Sequence, residues 1–286
     1  MFSTSNMGKD GTMSLDCYSV TADQLTGSAA KIPVLAMEDK GEVHYEMALR
    51  MLMQVEENNR QNRNTVFIRP VGPIAQYRIF ARWVNTRGID LKNTWIINMD
   101  EYLTDDGEWL ASDNPMSFHA CMNRELYSRL DPKLTVPEDH RIFPDPHDPG
   151  AVGRLIREVG GVDMVTGGIA LNGHIAFNEP EPGLSVEEFK QLPTRIVKLS
   201  METKVKDAIL SRGGAVDTIP NQCITVGMKE ILSARKLRFS MLLDMQRAVI
   251  RKACFGDVSA SCPISLAQEH PDALIMVSKN VLEKPF

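Results

Sequence analysis

The chain has 286 residues, of which 43% are hydrophobic and 24% are charged, a composition typical of a globular protein with a sizeable core. Its formal net charge of −5 argues against a general affinity for nucleic acid, because a protein that tracks phosphates needs a basic surface. No apolar stretch reaches the roughly 18 residues that span a bilayer, and the first 30 residues lack the apolar block of a secretory signal. The five cysteines are widely spaced and form no CxxC pair, which favours reduced thiols in a cytoplasm. We therefore predict a cytoplasmic protein that binds no nucleic acid and has no membrane segment.

Short apolar runs alternate with longer amphipathic stretches, the pattern of strands that are buried on both faces of a parallel sheet. The helices are recognised by apolar residues that repeat every three or four positions, as in Val43, Met47, Met51 and Val55. Strand, helix, strand is the crossover unit, so we predict an α/β fold with a doubly wound, mainly parallel sheet flanked by helices (Rossmann-like). In chain order the predicted elements are helix Val43–Val55, strand Thr65–Arg69, helix Ile74–Val84, strand Thr94–Met99, helix Ser117–Leu130, helix Val152–Val159, strand Met164–Ala170, helix Met201–Leu210, strand Gln222–Val226, strand Leu237–Leu243, helix Gln246–Phe255 and strand Ala273–Val277.

The domain organisation is predicted to be simple. Residues 1–30 are rich in Ser, Thr and Gly and are interpreted as an N-terminal tail or an arm on a partner subunit. Residues 31–286 are predicted to form a single α/β domain. Acids and histidines between Asp139 and Asp148 are irregularly spaced among prolines, which favours a solvated loop over a metal site, and no metal ligand is assigned.

Two consecutive acids end one of the predicted strands. Ligands of such sheets collect beyond the carboxyl ends of the strands, and the strand Thr94–Met99 runs directly into Asp100 and Glu101. Successive strand side chains point to opposite sides. One acid is therefore expected to face a pocket, while the other anchors a loop or caps the next element. Acids that end strands are commonplace, so this segment alone favours a structural role.

A second segment follows the strand Met164–Ala170 and contains a histidine among small residues. His174 comes directly after Gly173, and the carboxylate of Glu179 follows five positions later. Glycines such as Gly168 and Gly173 let the backbone approach a ligand, and histidine titrates nearest to neutral pH. A single histidine is more often structural, but the combination of Asn, Gly, His, Asn, Glu and Pro is far more specific for acid/base chemistry.

The segments Asn98–Tyr102 (NMDEY) and Asn172–Pro180 (NGHIAFNEP) resemble the two signature motifs of the glucosamine-6-phosphate deaminase/isomerase family, in the same order. Weaker similarities extend the resemblance over roughly residues 65–277. These weaker similarities are at Thr194–Ile196, Ile219–Pro220, Ile224–Gly227, Asp244–Ala248 and Gln268–Pro271. Related lactonases of phosphorylated sugars share only a shorter Gly-His signature.

The resemblance implies a deaminating isomerase of an amino sugar, phosphorylated in the family, that needs no metal and no organic cofactor. Asp100 is implied as the base that moves a proton between C2 and C1, and His174 as the group that opens the ring. Glu179 and Asn172 are implied to orient and tune His174. The family's members differ in assembly, so the resemblance is compatible with a homo-oligomer. Many members carry Asp at position 172; an Asn there adds no negative charge and predicts a less basic His174.

The loop after the first predicted strand departs from the family. Family members have a Thr/Ser/Gly-rich turn that holds the sugar phosphate, whereas this chain has Val71 and Pro73, and Ile209 stands where the family has a phosphate-binding Arg. Two interpretations stay open: an anion site rebuilt from other residues, or a different substrate tail. The residues predicted to bind the anion are Arg69, Gly72 with the helix amides after it, and Arg247. The other residues predicted to bind the substrate are Glu101, Gly168 and Gly173.

Three function classes follow from these patterns: the deaminating isomerase, a sugar-lactone hydrolase of the same fold, and a sugar-sensing protein with reduced turnover. The lactonase would leave Asp100 and the Asn-Glu-Pro sequence without a use. A sensor has no need for Asp100, His174 and Glu179 together, so the isomerase is favoured. The additional segment Glu181–Leu192 is expected to reshape a lid over the site.

Overall fold

The structure, a computed structural model, describes residues 17–286. Within this range the chain forms ten β-strands and nine α-helices, joined by short 3₁₀ turns. The strands are β1 Val34–Met37, β2 Thr65–Arg69, β3 Thr94–Asn98, β4 Asp100–Leu103, β5 Arg141–Ile142, β6 Met164–Gly168, β7 Arg195–Lys198, β8 Gln222–Thr225, β9 Leu237–Met241 and β10 Ala273–Ser278. The helices are α1 Ala22–Thr26, α2 Lys40–Arg60, α3 Ala75–Arg87, α4 Phe118–Glu125, α5 Ala151–Glu158, α6 Val186–Lys190, α7 Met201–Ser211, α8 Met228–Leu232 and α9 Arg247–Phe255.

Seven strands form the central sheet, in the order β1-β10-β9-β6-β2-β3-β5. Every neighbouring pair is parallel. This confirms the predicted α/β class with a mainly parallel sheet, and five of the six predicted strands belong to it. The strand β1 and the short strand β5 were not predicted, because neither forms a long apolar run.

Side chains that alternate along the strands pack into two separate cores, one on each face of the sheet. Phe67 of β2 lies in a cluster with Met51 of α2 and Phe80 of α3. Its neighbours Val66 and Ile68 lie in the other cluster, with side chains of α5, α8 and α9. Strands covered on both faces must be apolar throughout, which is why periodicity and apolar runs together predicted this layer arrangement.

A second sheet of three antiparallel strands, in the order β4-β8-β7, lies beside the central one. The prediction that Gln222–Val226 belongs to the parallel sheet was wrong, since β8 is the middle strand of this small sheet. A short apolar run does not distinguish the two environments. The strand β4 begins with two acids and β7 alternates between half-buried and exposed residues, so neither had the apolar signal used for prediction.

Met99 connects the two sheets. Its amide donates to the Arg69 carbonyl at 2.8 Å, as the last bond of the β2–β3 ladder, and its carbonyl accepts from the Val226 amide at 2.8 Å, beside the β4–β8 ladder. The chain therefore leaves the parallel sheet and enters the antiparallel one within a single residue. Asp100 follows at this junction.

The remaining domain predictions concern the N-terminus and the segment 181–192. Residues 1–16 of the predicted tail lie outside the described residues, while Val20 and Leu25 are buried in the core of the domain. Segment 181–192 contains α6, whose Phe189 is fully buried against the α8 side of the sheet. None of the helices formed by residues 17–286 combines the length and apolar character that crossing a bilayer requires.

Candidate active site

A cleft of about 360 Å³ opens where the carboxyl ends of the central strands meet the small sheet and α7. Parallel strands of α/β sheets present their ligand sites at this edge. Most of the wall is apolar, and the charged or titratable side chains are few. They are Lys40, Asp100, Tyr102, His174, Lys206 and Asp207.

Asp100 lies on the cleft wall with only 7% of its surface exposed. Among residues 17–286, no group donates a hydrogen bond to its carboxylate. Burial and the nearby carboxylates of Glu101 and Asp207 raise its pKa to about 8, against a smaller opposing effect of the Lys206 ammonium. A carboxyl group with a pKa near neutrality can both take up and release a proton under physiological conditions.

Glu101 points the other way, as the alternation of a strand requires. Its carboxylate is fully buried and accepts the backbone amides of Phe118 and His119, both at 2.9 Å, at the start of α4. It also lies 2.7 Å from Nδ1 of His119. Glu101, which was predicted to bind substrate, does not line the cleft; it is the acid that caps the next element.

The loop after β6 turns sharply before His174. Gly173 has φ +86°, and a Cβ at this position would lie 3.0 Å from Sγ of Cys262 and 3.2 Å from a methyl group of Val249. Only glycine fits such a turn. Gly173 thus faces the core and shapes the backbone rather than contacting a ligand, contrary to its predicted substrate-binding role. Sequence reasoning missed Ala176, which lines the cleft in a left-handed conformation at φ +57°.

His174 reaches the cleft with 4% of its surface exposed, and its Nδ1 has no hydrogen-bond partner among residues 17–286. Burial, with a smaller effect of Lys206, lowers its pKa well below the ordinary value. The imidazole is therefore neutral at physiological pH. One ring nitrogen then donates and the other accepts, and no side chain among residues 17–286 occupies Nδ1.

Asn172 and Glu179 do not hold the imidazole, contrary to the expectation from the family motif. The Asn172 side chain accepts the backbone amide of His174 at 3.3 Å and so stabilises the turn. Glu179 accepts the amide of Ser200 at 3.2 Å, and Ser200 is the N-cap of α7. Glu179 thereby links the histidine loop to the helix that covers the cleft. The low basicity of His174 comes from burial rather than from the amide at position 172.

Asn178 fixes the loop between these residues. Its side-chain amide donates to the carbonyls of Ile175 at 3.0 Å and Val226 at 2.9 Å, and its oxygen accepts from Arg195 at 2.7 Å. It is fully buried. The loop is thus tied to the small sheet, which holds His174 and Asp100 in one cleft.

The two arginines that were predicted to bind an anion lie outside the cleft lining. Arg69 is fully buried, donates to Gln76, and has its guanidinium 5.8 Å and 5.6 Å from the ring centres of Phe67 and Tyr77. Burial lowers its pKa. Arg247 lies 2.6 Å from a carboxylate oxygen of Glu283 and donates to the Asn280 carbonyl. Sequence position alone did not reveal these competing partners.

Gly72 and Gly168 do line the cleft, as predicted. A Cβ on Gly72 would meet open space, and one on Gly168 would come no closer than 3.9 Å to Pro73. These two glycines therefore widen the cleft between the loop after β2 and the end of β6. No residue of segment 181–192, all of which the structure describes, lines the cleft, so the expectation that this segment reshapes a lid was wrong.

The α7 side chains Lys206 and Asp207 were missed by sequence reasoning. The Lys206 ammonium lies 2.8 Å from Asp207, which accepts the hydroxyl of Tyr102 at 2.9 Å. Both charged side chains are mostly buried, at 12% and 16% exposure. Because α7 carries several other polar residues, only the fold reveals which pair faces inward. Among residues 17–286, no group of three His, Cys, Asp or Glu side chains is placed to hold a metal ion.

Comparison with known proteins places this site in a family. No protein-family model matches the chain. Glucosamine-6-phosphate deaminase of Lachnoclostridium phytofermentans is 30% identical over 210 residues, which cover 71% of this chain and 82% of that protein. The chain belongs to the glucosamine-6-phosphate deaminase family. The Porphyromonas gingivalis deaminase is 31% identical over 211 residues, which cover 71% of this chain and 74% of its own.

Solved structures agree with this membership of the glucosamine-6-phosphate deaminase family. A monomeric glucosamine-6-phosphate deaminase superimposes with a TM-score of 0.73 at 25% identity, covering 87% of this chain and 98% of its own. A 6-phosphogluconolactonase from Shewanella baltica superimposes with a TM-score of 0.60 at 14% identity, covering 86% and 97%. The lactonase likeness concerns the fold alone.

Proposed function

We propose that this protein converts glucosamine-6-phosphate to fructose-6-phosphate and ammonia in the cleft between Asp100 and His174. One observation carries the proposal: both side chains line the same cleft, and among residues 17–286 the Asp100 carboxylate accepts no hydrogen bond, while the buried Nδ1 of His174 has no partner. Buried polar groups are normally satisfied. Two unsatisfied titratable groups in one cleft suit a ligand that supplies their partners.

Each group matches one step of the reaction. Neutral His174 can take the proton of the anomeric hydroxyl and deliver it to the ring oxygen, which opens the sugar. The Asp100 carboxylate then takes the proton from C2 and returns it to C1, while a proton of the amino group passes to O1. This leaves a hydroxymethyl group at C1 and an imine at C2. Water adds at C2, the C2–N bond breaks, and ammonia leaves.

The substrate's phosphate needs a cation in this mostly apolar cleft. Arg69 is buried beneath the loop after β2, and Arg247 is engaged by Glu283. Lys206 and Lys40 are the lysines on the cleft wall. Lys206 is assigned to the phosphate because it lies on the cleft wall, and it would exchange its pairing with Asp207 for the phosphate when α7 lies over the substrate. Lys40 lies at the exposed rim. A lysine acts on phosphate as a point charge, without the fork geometry of arginine.

The pKa of Asp100 defines a pH dependence. Because the base must be deprotonated and its pKa is raised to about 8, kcat/KM should rise with pH up to about pH 8, by about tenfold per pH unit well below that value. His174 contributes no transition near pH 6.5, since burial keeps its pKa well below that value. Cys121, Cys223, Cys254 and Cys262 are free thiols, which supports a cytoplasmic location.

Ammonia release from the purified protein tests the proposal. Glucosamine-6-phosphate would be offered in parallel with glucosamine and galactosamine-6-phosphate, and hydrolysis of 6-phosphogluconolactone would be followed separately by acid release, with Asp100→Asn as the inactive control. Turnover of glucosamine-6-phosphate that Asp100→Asn abolishes is the expected result. Hydrolysis of the lactone that survives Asp100→Asn, or turnover of none of these compounds, would contradict it.

A further inference from the structure

A histidine on the far side of β4 is connected to Asp100 by a buried carboxylate. Nδ1 of His119 lies 2.7 Å from Oε2 of Glu101, and Glu101 has no exposed surface. Glu101 follows Asp100 directly in β4, and its side chain lies on the opposite side of the strand. The carboxylate also accepts the amide of Tyr102 at 2.9 Å, so its position is fixed.

His119 itself reaches solvent. Its side chain is 28% exposed and lines a second cavity of about 420 Å³ that does not include Asp100 or His174. Its ring stacks on Phe143 at 3.4 Å between centres and contacts Trp109 at 4.7 Å. These contacts hold the ring so that Nδ1 faces Glu101, leaving Nε2 on the side of the cavity.

We infer that His119 is a positioning residue that controls, through the buried carboxylate of Glu101, the negative charge felt by Asp100. The inference rests on the proposed function in so far as Asp100 is the base of the reaction. His119 touches neither the cleft nor its contents, so it acts only through Glu101. The histidine is thereby a point at which the solvent on one side of β4 can influence proton transfer on the other.

The physical basis is electrostatic. The Glu101 carboxylate raises the pKa of Asp100, second only to burial. A donor at 2.7 Å offsets part of that negative charge, and it offsets more when the His119 ring carries a second proton. Loss of His119 should therefore make Asp100 harder to ionise, and loss of the Glu101 charge should make it easier.

Other charged and titratable groups surround this chain of residues and do not replace it. Asp207 and Lys206 act on Asp100 from α7 with opposite signs, and Cys223 faces it from β8. On the other side, the cavity around His119 contains Tyr127, Glu138 and Arg141.

The test is the pH profile of kcat/KM for His119→Phe and His119→Gln, since Phe keeps the stacking and loses the donor. His119→Phe should move the acid limb to higher pH by about half a unit to one unit, and Glu101→Gln should move it to lower pH. In the Glu101→Gln background, His119→Phe should cause no further shift. His147 pairs with Glu108 at 3.1 Å on the surface, so His147→Phe is the matched control and should leave the limb in place.

Carbon-13 NMR of the aspartate carboxyl groups, assigned with Asp100→Asn, gives the same titration without turnover. If the wild type does not turn over amino sugars, the proposed function is wrong. The NMR titration of Asp100 would still show whether His119 acts on its pKa. A uniform fall in rate with an unmoved midpoint in His119→Phe and His119→Gln would overturn the inference. The inference would also be overturned if His119→Phe shifted the acid limb equally in the wild type and in the Glu101→Gln background. If Glu101→Gln does not fold, the His119 variants alone decide the outcome.

Discussion

Two sets of residues in the glucosamine-6-phosphate deaminase family motifs fared differently in this fold. The proposed proton-transfer residues are Asp100, in the small sheet, and His174, in the loop after β6 of the central sheet, and both line one cleft. The predicted anion-binding set, Arg69, Gly72 and Arg247, contributes only Gly72 to the cleft wall. Arg247 carries the right charge but is paired with Glu283, and Arg69 is fully buried, with only Nη2 donating, to Gln76.

This difference shows that a sequence motif can predict where a side chain lies, whereas the charge of a residue alone cannot. The segment around His174 specifies a backbone path, through the glycine turn at Gly173 and the clamp made by Asn178, and this path determines where the side chain goes. A long cationic side chain follows no such path, because its position is decided by whichever acceptors lie within reach. Lys206, with no signature of its own, thus becomes the candidate cation.

The largest effect is expected at the proton-transfer pair. His174→Gln keeps a polar side chain but removes the group that moves the proton during ring opening, so kcat on glucosamine-6-phosphate should fall by about 10²- to 10⁴-fold. Steady-state ammonia release measures this. His147→Gln, at an exposed histidine, is the matched control and should retain the wild-type rate. A His174→Gln enzyme with nearly full activity would break the assignment of this end of the cleft.

A smaller effect is expected at the anion-binding residues. Lys206→Met should raise the KM for glucosamine-6-phosphate by about 10- to 100-fold, because a hydrogen bond to a charged group contributes about 1.5–3 kcal/mol. The KM for unphosphorylated glucosamine should change little. Lys204→Met is the matched control, since Lys204 lies on the same helix but donates to Asn221.

Arg247→Met sharpens the same comparison. Because Arg247 would have to leave Glu283 to reach a phosphate, its loss should raise KM less than the loss of Lys206. The reverse order of the two effects would restore the anion site expected from sequence position. Stability of both variants should be checked by thermal melting, so that a folding defect is not mistaken for weaker binding.

Most of the central sheet could be predicted from the sequence because its strands are covered on both faces. Thr65–Arg69 was predicted with its observed bounds, and β3, β6, β9 and β10 with small end errors, whereas β1 and β5 were missed. The small sheet was only partly predicted. The strand β7 exposes one face and β4 begins with Asp100, so their stability comes from pairing with β8 rather than from a local apolar run.

Within the site, the alternation along the strand predicted that only one of Asp100 and Glu101 faces the pocket, and the family resemblance alone indicated Asp100. That choice depends on α4, whose first amides take up the carboxylate of Glu101. The partners of Glu179 likewise depend on where α7 begins, since it binds the Ser200 amide. Such contacts join distant parts of the chain, and no local pattern contains them.

The smallest effect expected is one on stability rather than on rate. A raised pKa means that the folded chain holds a proton on Asp100 between about pH 4, where an unfolded aspartate releases it, and about pH 8. The stability that this proton contributes is complete below about pH 4 and is lost as the pH rises through 8. Asp100→Asn has no such loss, so it should be more stable than the wild type at pH 8 by about 1 to 3 kcal/mol and show a smaller difference at pH 5. Urea unfolding of both proteins at the two pH values measures this. An Asp100→Asn protein that is less stable at pH 8 would mean that the carboxylate is satisfied in the fold and is not held ready for a substrate.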